Sequence, residues 1–349
     1  MNRATAAALI TALASAPLGA QWLNHPTPGI PRTADGKPNL IAPAPRTRTG
    51  RPDLSGIWSI DGLGYAFNIV GGHKTEMLPW AEALYQQRLA NYGKDDTDLK
   101  CLPPGPRAGL FGQNLLKIVQ NDGLLVVLYE VAPTRQILMD GRSLPVNPNP
   151  AWMGYSVGHW EKDTLVVESA GFNDRTWLDF SGHPHTEALR VTERFRRKDF
   201  GHMQLEITFD DPKAYSKPWT ISVNVNYVPD TELLEFVCNE NEKDHAHLVG
   251  QVSDEKKAET KVSRDILATY AGDYQAGPLG TLHVSVEGDQ LMIELPGGGG
   301  RQPTFAQSEK DFVFPGIGSL IEFVKDSQGN VTHLLIKIVE GDQKAVRLK

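Results

Sequence analysis

The chain has 349 residues, 40 % of them hydrophobic and 22 % charged, enough for a real core in one large β domain or two smaller domains. Its 35 Lys and Arg against 42 Asp and Glu leave a formal charge of −7 without any basic block, which speaks against a nucleic-acid partner. Beyond the N-terminus, no stretch approaches the ~20 apolar residues of a membrane-spanning helix, so no transmembrane segment is expected.

The chain opens MNRATAAALITALASAPLGA, where Arg3 precedes an Ala/Leu-rich run and Gly19-Ala20 leads into Gln21. This is the pattern of a signal peptide over 1–20, and it predicts an exported protein, periplasmic or extracellular. A buried N-terminal helix is the alternative. Residues 21–53 are rich in Pro, Thr, Arg and Gly and read as an extended arm. They hold an imperfect repeat, PRTADGKPNL at 31–40 and PRTRTGRPDL at 45–54, each copy able to form a Gly-centred turn.

The main β domain is expected over 54–250. It opens Leu54-Ser55-Gly56-Ile57-Trp58, and this Gly-x-Trp resembles the start of a lipocalin-type barrel, which implies a Trp plugging one end. LPWAEALYQQRLA at 78–90 has Trp80, Leu84 and Tyr85 near helical spacing, with Pro79 suited to a first turn. From 114 onward an alternation of period two takes over, in hairpins turning at Asn121-Asp122-Gly123, at Glu161–Asp163, near Lys198–Gly201 and at Pro229-Asp230. The fourth hairpin would pair WTISVNVNYV with ELLEFVCNE. A mostly β, antiparallel meander of this kind must close into a lipocalin-like barrel or pair as a sandwich to protect its edges. A polar linker at 251–261 leads to a smaller all-β domain over 262–349. The two cysteines, Cys101 and Cys238, read as one disulfide in an oxidising compartment, or else as two separate buried thiols.

Two resemblances add to this. YAGDY at 270–274, the Gly280–Val284 strand, Asp311–Phe314 and Ile321–Phe323 resemble a small all-β domain of unknown function found behind serine β-lactamase-like and esterase domains. The resemblance carries no catalytic residue to this chain, and serine hydrolase chemistry is not expected to come with it. Residues 21–250 are similar to a group of exported, uncharacterised bacterial proteins through PRTADGKP, CLPPG, GFNDRTWLD, GHPH, ALRVTERF and CNEN. That group implies architecture and location, not an activity.

Candidate chemistry concentrates in Gly171–Phe195. In His183-Pro184-His185 an extended backbone would point both imidazoles the same way, able to bind a divalent metal or a substrate. Asp174, Asp179 and Glu187 could complete such a set or orient a ring. No other cofactor is implied. Asp174 as base with a His as acid is chemically sensible, while Arg175, Trp177, Asp179 and Arg190 would contact a ligand, Trp177 as a wall for a sugar or aromatic ring. Glu193 lies on an otherwise apolar strand face and must be paired or neutral if buried. The candidate catalytic set is therefore Asp174, His183, His185 and Glu193. Each residue also has a plainer reading, as a turn former, a core Trp or a solvated loop histidine. Three functions compete: a hydrolase or lyase using a His/carboxylate pair on a carbohydrate or small aromatic substrate, a non-catalytic binder of a small-molecule or carbohydrate ligand, and a cell-envelope interaction protein.

Overall fold

The structure, a computed structural model, describes residues 25–71, 73–91, 93–110, 115–238, 260–297, 300–314, 319–337 and 342–348. The expected signal peptide, most of the linker and the polar residues after Cys238 lie outside them.

Nine strands form a closed barrel: β1 (Gly56–Asp61), β2 (Leu115–Gln120), β3 (Leu124–Tyr129), β4 (Arg135–Leu138), β5 (Tyr155–Glu161), β6 (Thr164–Ala170), β7 (Arg190–Arg197), β8 (His202–Asp210) and β9 (Trp219–Tyr227). The sandwich alternative does not occur. Alternation decides which side is inside. In β9 the odd-numbered residues from Trp219 to Tyr227 are buried, while Thr220, Ser222, Asn224 and Asn226 face outward. Asn224 and Asn226 therefore do not line the lumen.

All but one of the consecutive strand pairs in the barrel are antiparallel, and β9 pairs antiparallel with β1, Trp58 opposite Tyr227. A ring of nine cannot alternate direction all the way round, so one neighbouring pair has to be parallel. That pair is β4–β5, joined only through Ile137↔Ser156 and Leu138↔Val157. The meander is broken there, and residues 139–154 carry the chain back along the barrel. Because β1 takes the free edge of β9, the described part of the expected partner ELLEFVCNE, residues 232–238, forms no strand. Residues 231–238 instead run as a strap, tied by Lys117 Nζ to Glu232 (2.8 Å) and by the Cys101–Cys238 disulfide.

One end of the barrel is covered by the arm. Both repeats fold alike, with Arg32 bridged to Pro38 and Arg46 to Pro52, and with Gly36 and Gly50 at positive φ. Each repeat then fastens to a barrel turn through its Arg: Arg32 to Asp230 (2.6 Å) and Arg46 to Asp163 (2.7 Å). Beneath the arm, Trp58 is fully buried, with the Arg197 guanidinium 4.8 Å above its ring and Tyr227 edge-on at 5.2 Å. Trp58 thus plugs this end, and Gly56 is required because a Cβ there would lie 2.3 Å from the Tyr227 ring.

The other end is capped by α1 (Leu63–Phe67), α2 (Pro79–Ala90) and the 171–189 stretch. The helical spacing at 78–90 is met by α2. Helices α1 and α3 (Arg264–Tyr270) escape the sequence pattern because five and seven residues are too few to show a period.

The remaining strands, β10 (Gly272–Gln275), β11 (Thr281–Glu287), β12 (Gln290–Glu294), β13 (Arg301–Pro303), β14 (Phe305–Ala306), β15 (Asp311–Phe314), β16 (Ser319–Lys325), β17 (Val331–Lys337) and β18 (Gln343–Arg347), form a second sheet. Its edges are β13 and β14, neighbours in sequence, so it nearly closes on itself. Tyr270, Tyr274, Phe312 and Phe323 fill its core. It sits against the capped end of the barrel: Phe67 lies 5.3 Å from both Phe180 and Phe314, and Gly64 N–H donates to Pro296 O at 2.9 Å.

Candidate functional site

The 171–189 stretch folds inward and is consumed in doing so. Asp179, with no exposed surface, organises it. Its Oδ1 accepts from the N–H groups of Gly182 (2.9 Å) and His183 (3.1 Å), and its Oδ2 accepts from Ile69 N–H (2.7 Å) and meets His183 Nδ1 at 2.5 Å. This is a side-chain-closed turn. Gly182 sits at φ +98, and a Cβ there would fall 2.8 Å from the Arg88 side chain. From α2, Arg88 donates to Gly182 O (2.9 Å) and lies 4.6 Å over the Trp177 ring, and Tyr85 stacks on His183 at 4.2 Å. Burial lowers Arg88 to about 10 against the pull of nearby carboxylates, while burial, joined by the charges of Asp179 and Glu82, raises the Tyr85 phenol. Arg107, also buried, donates to Asp179 O (3.0 Å) and holds Asp96 through two 2.7 Å contacts.

His185 is placed differently. Its Nε2 meets Thr176 Oγ1 at 2.8 Å and its Nδ1 faces Thr186 O at 3.2 Å, under the edge of Phe172. Burial pushes it down to about 4, so it is neutral at physiological pH.

The two imidazoles thus serve separate partners and do not form the expected pair. Among the described residues no group of three or more His, Cys, Asp or Glu is placed to hold a metal ion. Asp174 is exposed and acts on His185 only as a weak favourable charge. Arg175 and Arg190 are exposed, the latter donating to Val146 O at 3.3 Å on the outside of the barrel. Trp177 is buried under Arg88 and offers no free wall. His183 oriented by Asp179 has the form of a base held by a carboxylate. Neither histidine, however, lines the cavity described next.

That cavity lies in the lumen, where Glu193 joins groups from other strands. Its carboxylate takes Arg135 in a two-point ion pair, Nη1 to Oε1 at 3.0 Å and Nη2 to Oε2. Arg135 Nε also donates to Ser156 Oγ (3.1 Å) and Nη2 to Ser169 Oγ (2.8 Å), and the two hydroxyls meet at 2.8 Å. The cluster runs from β4 across β5 and β6 to β7, inside the parallel seam. Burial draws the Arg135 guanidinium down and the Glu193 charge more than offsets it, leaving it above its ordinary value. Tyr129 stands beside the pair, its phenol raised chiefly by burial. Around these groups, Ile118, Val127, Phe172, Leu205 and Ile207 enclose about 40 Å³. That is room for a few water molecules or a small ligand group.

Sequence reasoning reached Glu193 but missed Arg135, Tyr129, Ser156 and Ser169. Arg135 shares a strand face with Ile137, the same charge-on-an-apolar-face signal that marked Glu193. Gly154-Tyr155-Ser156-Val157-Gly158 also has the Gly-x-Ser-x-Gly spacing of a serine-hydrolase elbow. The structure puts Ser156 inside β5, buried and paired with Ser169 and Arg135, not on an exposed strand-to-helix turn. The spacing is coincidental.

A closed barrel with a polar cluster in its lumen, followed by a nearly closed second sheet, is the class of protein that this fold and site define. Residues 256–348 match a domain family described as a domain of unknown function (DUF3471), in line with the resemblance of the C-terminal strands. No curated protein matches the chain.

Proposed function

We propose that this is an exported, non-catalytic binding protein for a small amphipathic molecule, with the ligand's hydrogen-bonding group held in the barrel lumen. The observation that carries the reading is the Arg135–Glu193 pair, with Ser156, Ser169 and Tyr129, set into an otherwise apolar wall around a cavity. A site of this kind, apolar with a few convergent polar groups, suits ligand binding. One polar cluster in an apolar lumen fits a small amphipathic molecule better than a carbohydrate, which needs polar contacts all round. Export is supported by the N-terminal pattern, by the likeness of 21–250 to exported proteins, and by the Cys101–Cys238 disulfide.

The test uses the full chain and an Arg135→Met/Glu193→Met double variant. Replacing both members of a buried ion pair by apolar residues is often neutral for stability. Native mass spectrometry should show a small organic adduct on the wild-type chain. The adduct should be lost or cut at least about tenfold in the double variant, which corresponds to ~1.4 kcal/mol, while its unfolding midpoint stays near wild type. A wild-type chain without an adduct, or an adduct retained in full by the double variant, overturns the reading.

A further inference from the structure

Outside the barrel, next to the disulfide, a groove of about 680 Å³ runs between the 98–104 segment, the end of β3 with residues 130–133, and the strap. Leu99, Leu102, Leu234 and Phe236 stand 39–53 % exposed along it, unusual for large apolar side chains gathered in one place. The charges on its walls have a single sign. Asp98, Glu130 and Glu235 line it, and no Lys, Arg or His does so among the described residues. Glu130 is held in place by accepting from the N–H groups of Leu115 (3.2 Å) and Leu234 (3.3 Å). Tyr129 supplies an aromatic wall, shared with the lumen cavity.

From this arrangement we infer that the groove binds an organic cation with an apolar body, its chain against Leu99, Leu102 and Phe236 and its ammonium beside Glu130 and Glu235. Apolar walls exclude a small inorganic cation from any advantage, since they add nothing to its binding. The carboxylates repel the anionic amphiphiles that would otherwise suit the same walls, and an aromatic ring beside carboxylates favours a quaternary ammonium. The inference goes beyond the lumen reading and does not depend on it. The disulfide holds the two walls together through Cys101 and Cys238.

The experiment is calorimetric titration of the full chain at low salt with octyltrimethylammonium, octanol and octanoate. The surface variants Phe236→Ala and Glu235→Gln and the lumen double variant are measured in parallel. Phe236 and Glu235 are exposed, so both replacements leave the fold intact. The cation is expected to bind saturably, octanol about fivefold or more weaker, and octanoate not at all. Either surface variant should weaken the cation about fivefold or more, in the range expected for one apolar or charged contact, and added salt should weaken it further. The lumen variant should bind it like wild type. No saturable binding of the cation, equal affinity for octanoate, or indifference to both surface substitutions overturns the inference. Loss of cation binding in the lumen variant alone overturns it too, by placing the ligand inside the barrel.

Discussion

At the scale of single residues, the polar side chains divide into those spent on the fold and those left facing a space. Asp179 holds four donors at once and His183 is locked by it, so the densest cluster of chemistry in the sequence acts as the cap's fastening. His185 gives this a measurable consequence. Its folded value of about 4 lies below the ordinary 6.5, because burial disfavours the charged ring. Between those values the unfolded chain takes up a proton and the folded chain does not, so stability rises with pH. The contribution is full above pH ~6.5 and is lost progressively as pH falls toward ~4, roughly 3 kcal/mol in all. Urea unfolding at pH 7.5, 6 and 5 should show His185→Gln losing less stability on acidification than wild type. Parallel pH dependence in the two proteins would show that His185 is not buried neutral.

At the scale of elements, the disulfide does what strand pairing cannot. The strap after β9 has no sheet edge to join, since β1 closes the ring, and Cys101–Cys238 ties it to the irregular CLPPGP segment across 137 positions. Closing so long a loop restricts the unfolded chain, worth about 3–5 kcal/mol. A Cys101→Ala/Cys238→Ala variant should unfold at correspondingly lower denaturant, and limited proteolysis should cut first within 231–238. A variant with wild-type stability and no new cleavage would mean that the strap is held by its other contacts. The arm shows the reverse economy. Two sequence repeats become two like turns, each fastened by one Arg to an Asp at the end of a barrel strand, so the repeat is visible in sequence while its Asp partners are not.

For the whole molecule, the decisive contact is the seating of the second sheet on the capped end. Phe67 belongs to a barrel-capping helix yet is buried in the second core, between Phe180 and Phe314. Phe67→Ala should cost about 3–5 kcal/mol and, by loosening the joint, split a single calorimetric transition into two. One unchanged transition would show that the two sheets are coupled elsewhere. The sequence by itself determined most of the barrel strands, the arm's repeated turns and the long capping helix, because alternation, turn residues and Pro or Gly positions are local facts; which face of each strand points inward, and that the two cysteines join, it left open. It also marked Glu193, since a charge on an apolar strand face is a local anomaly. Only the tertiary structure decided that Glu193 meets Arg135, that the two histidines part company, and that β9 returns to β1. Those depend on which strands lie side by side in a ring of nine, and the residues concerned stand too far apart in the chain for any local pattern to join them.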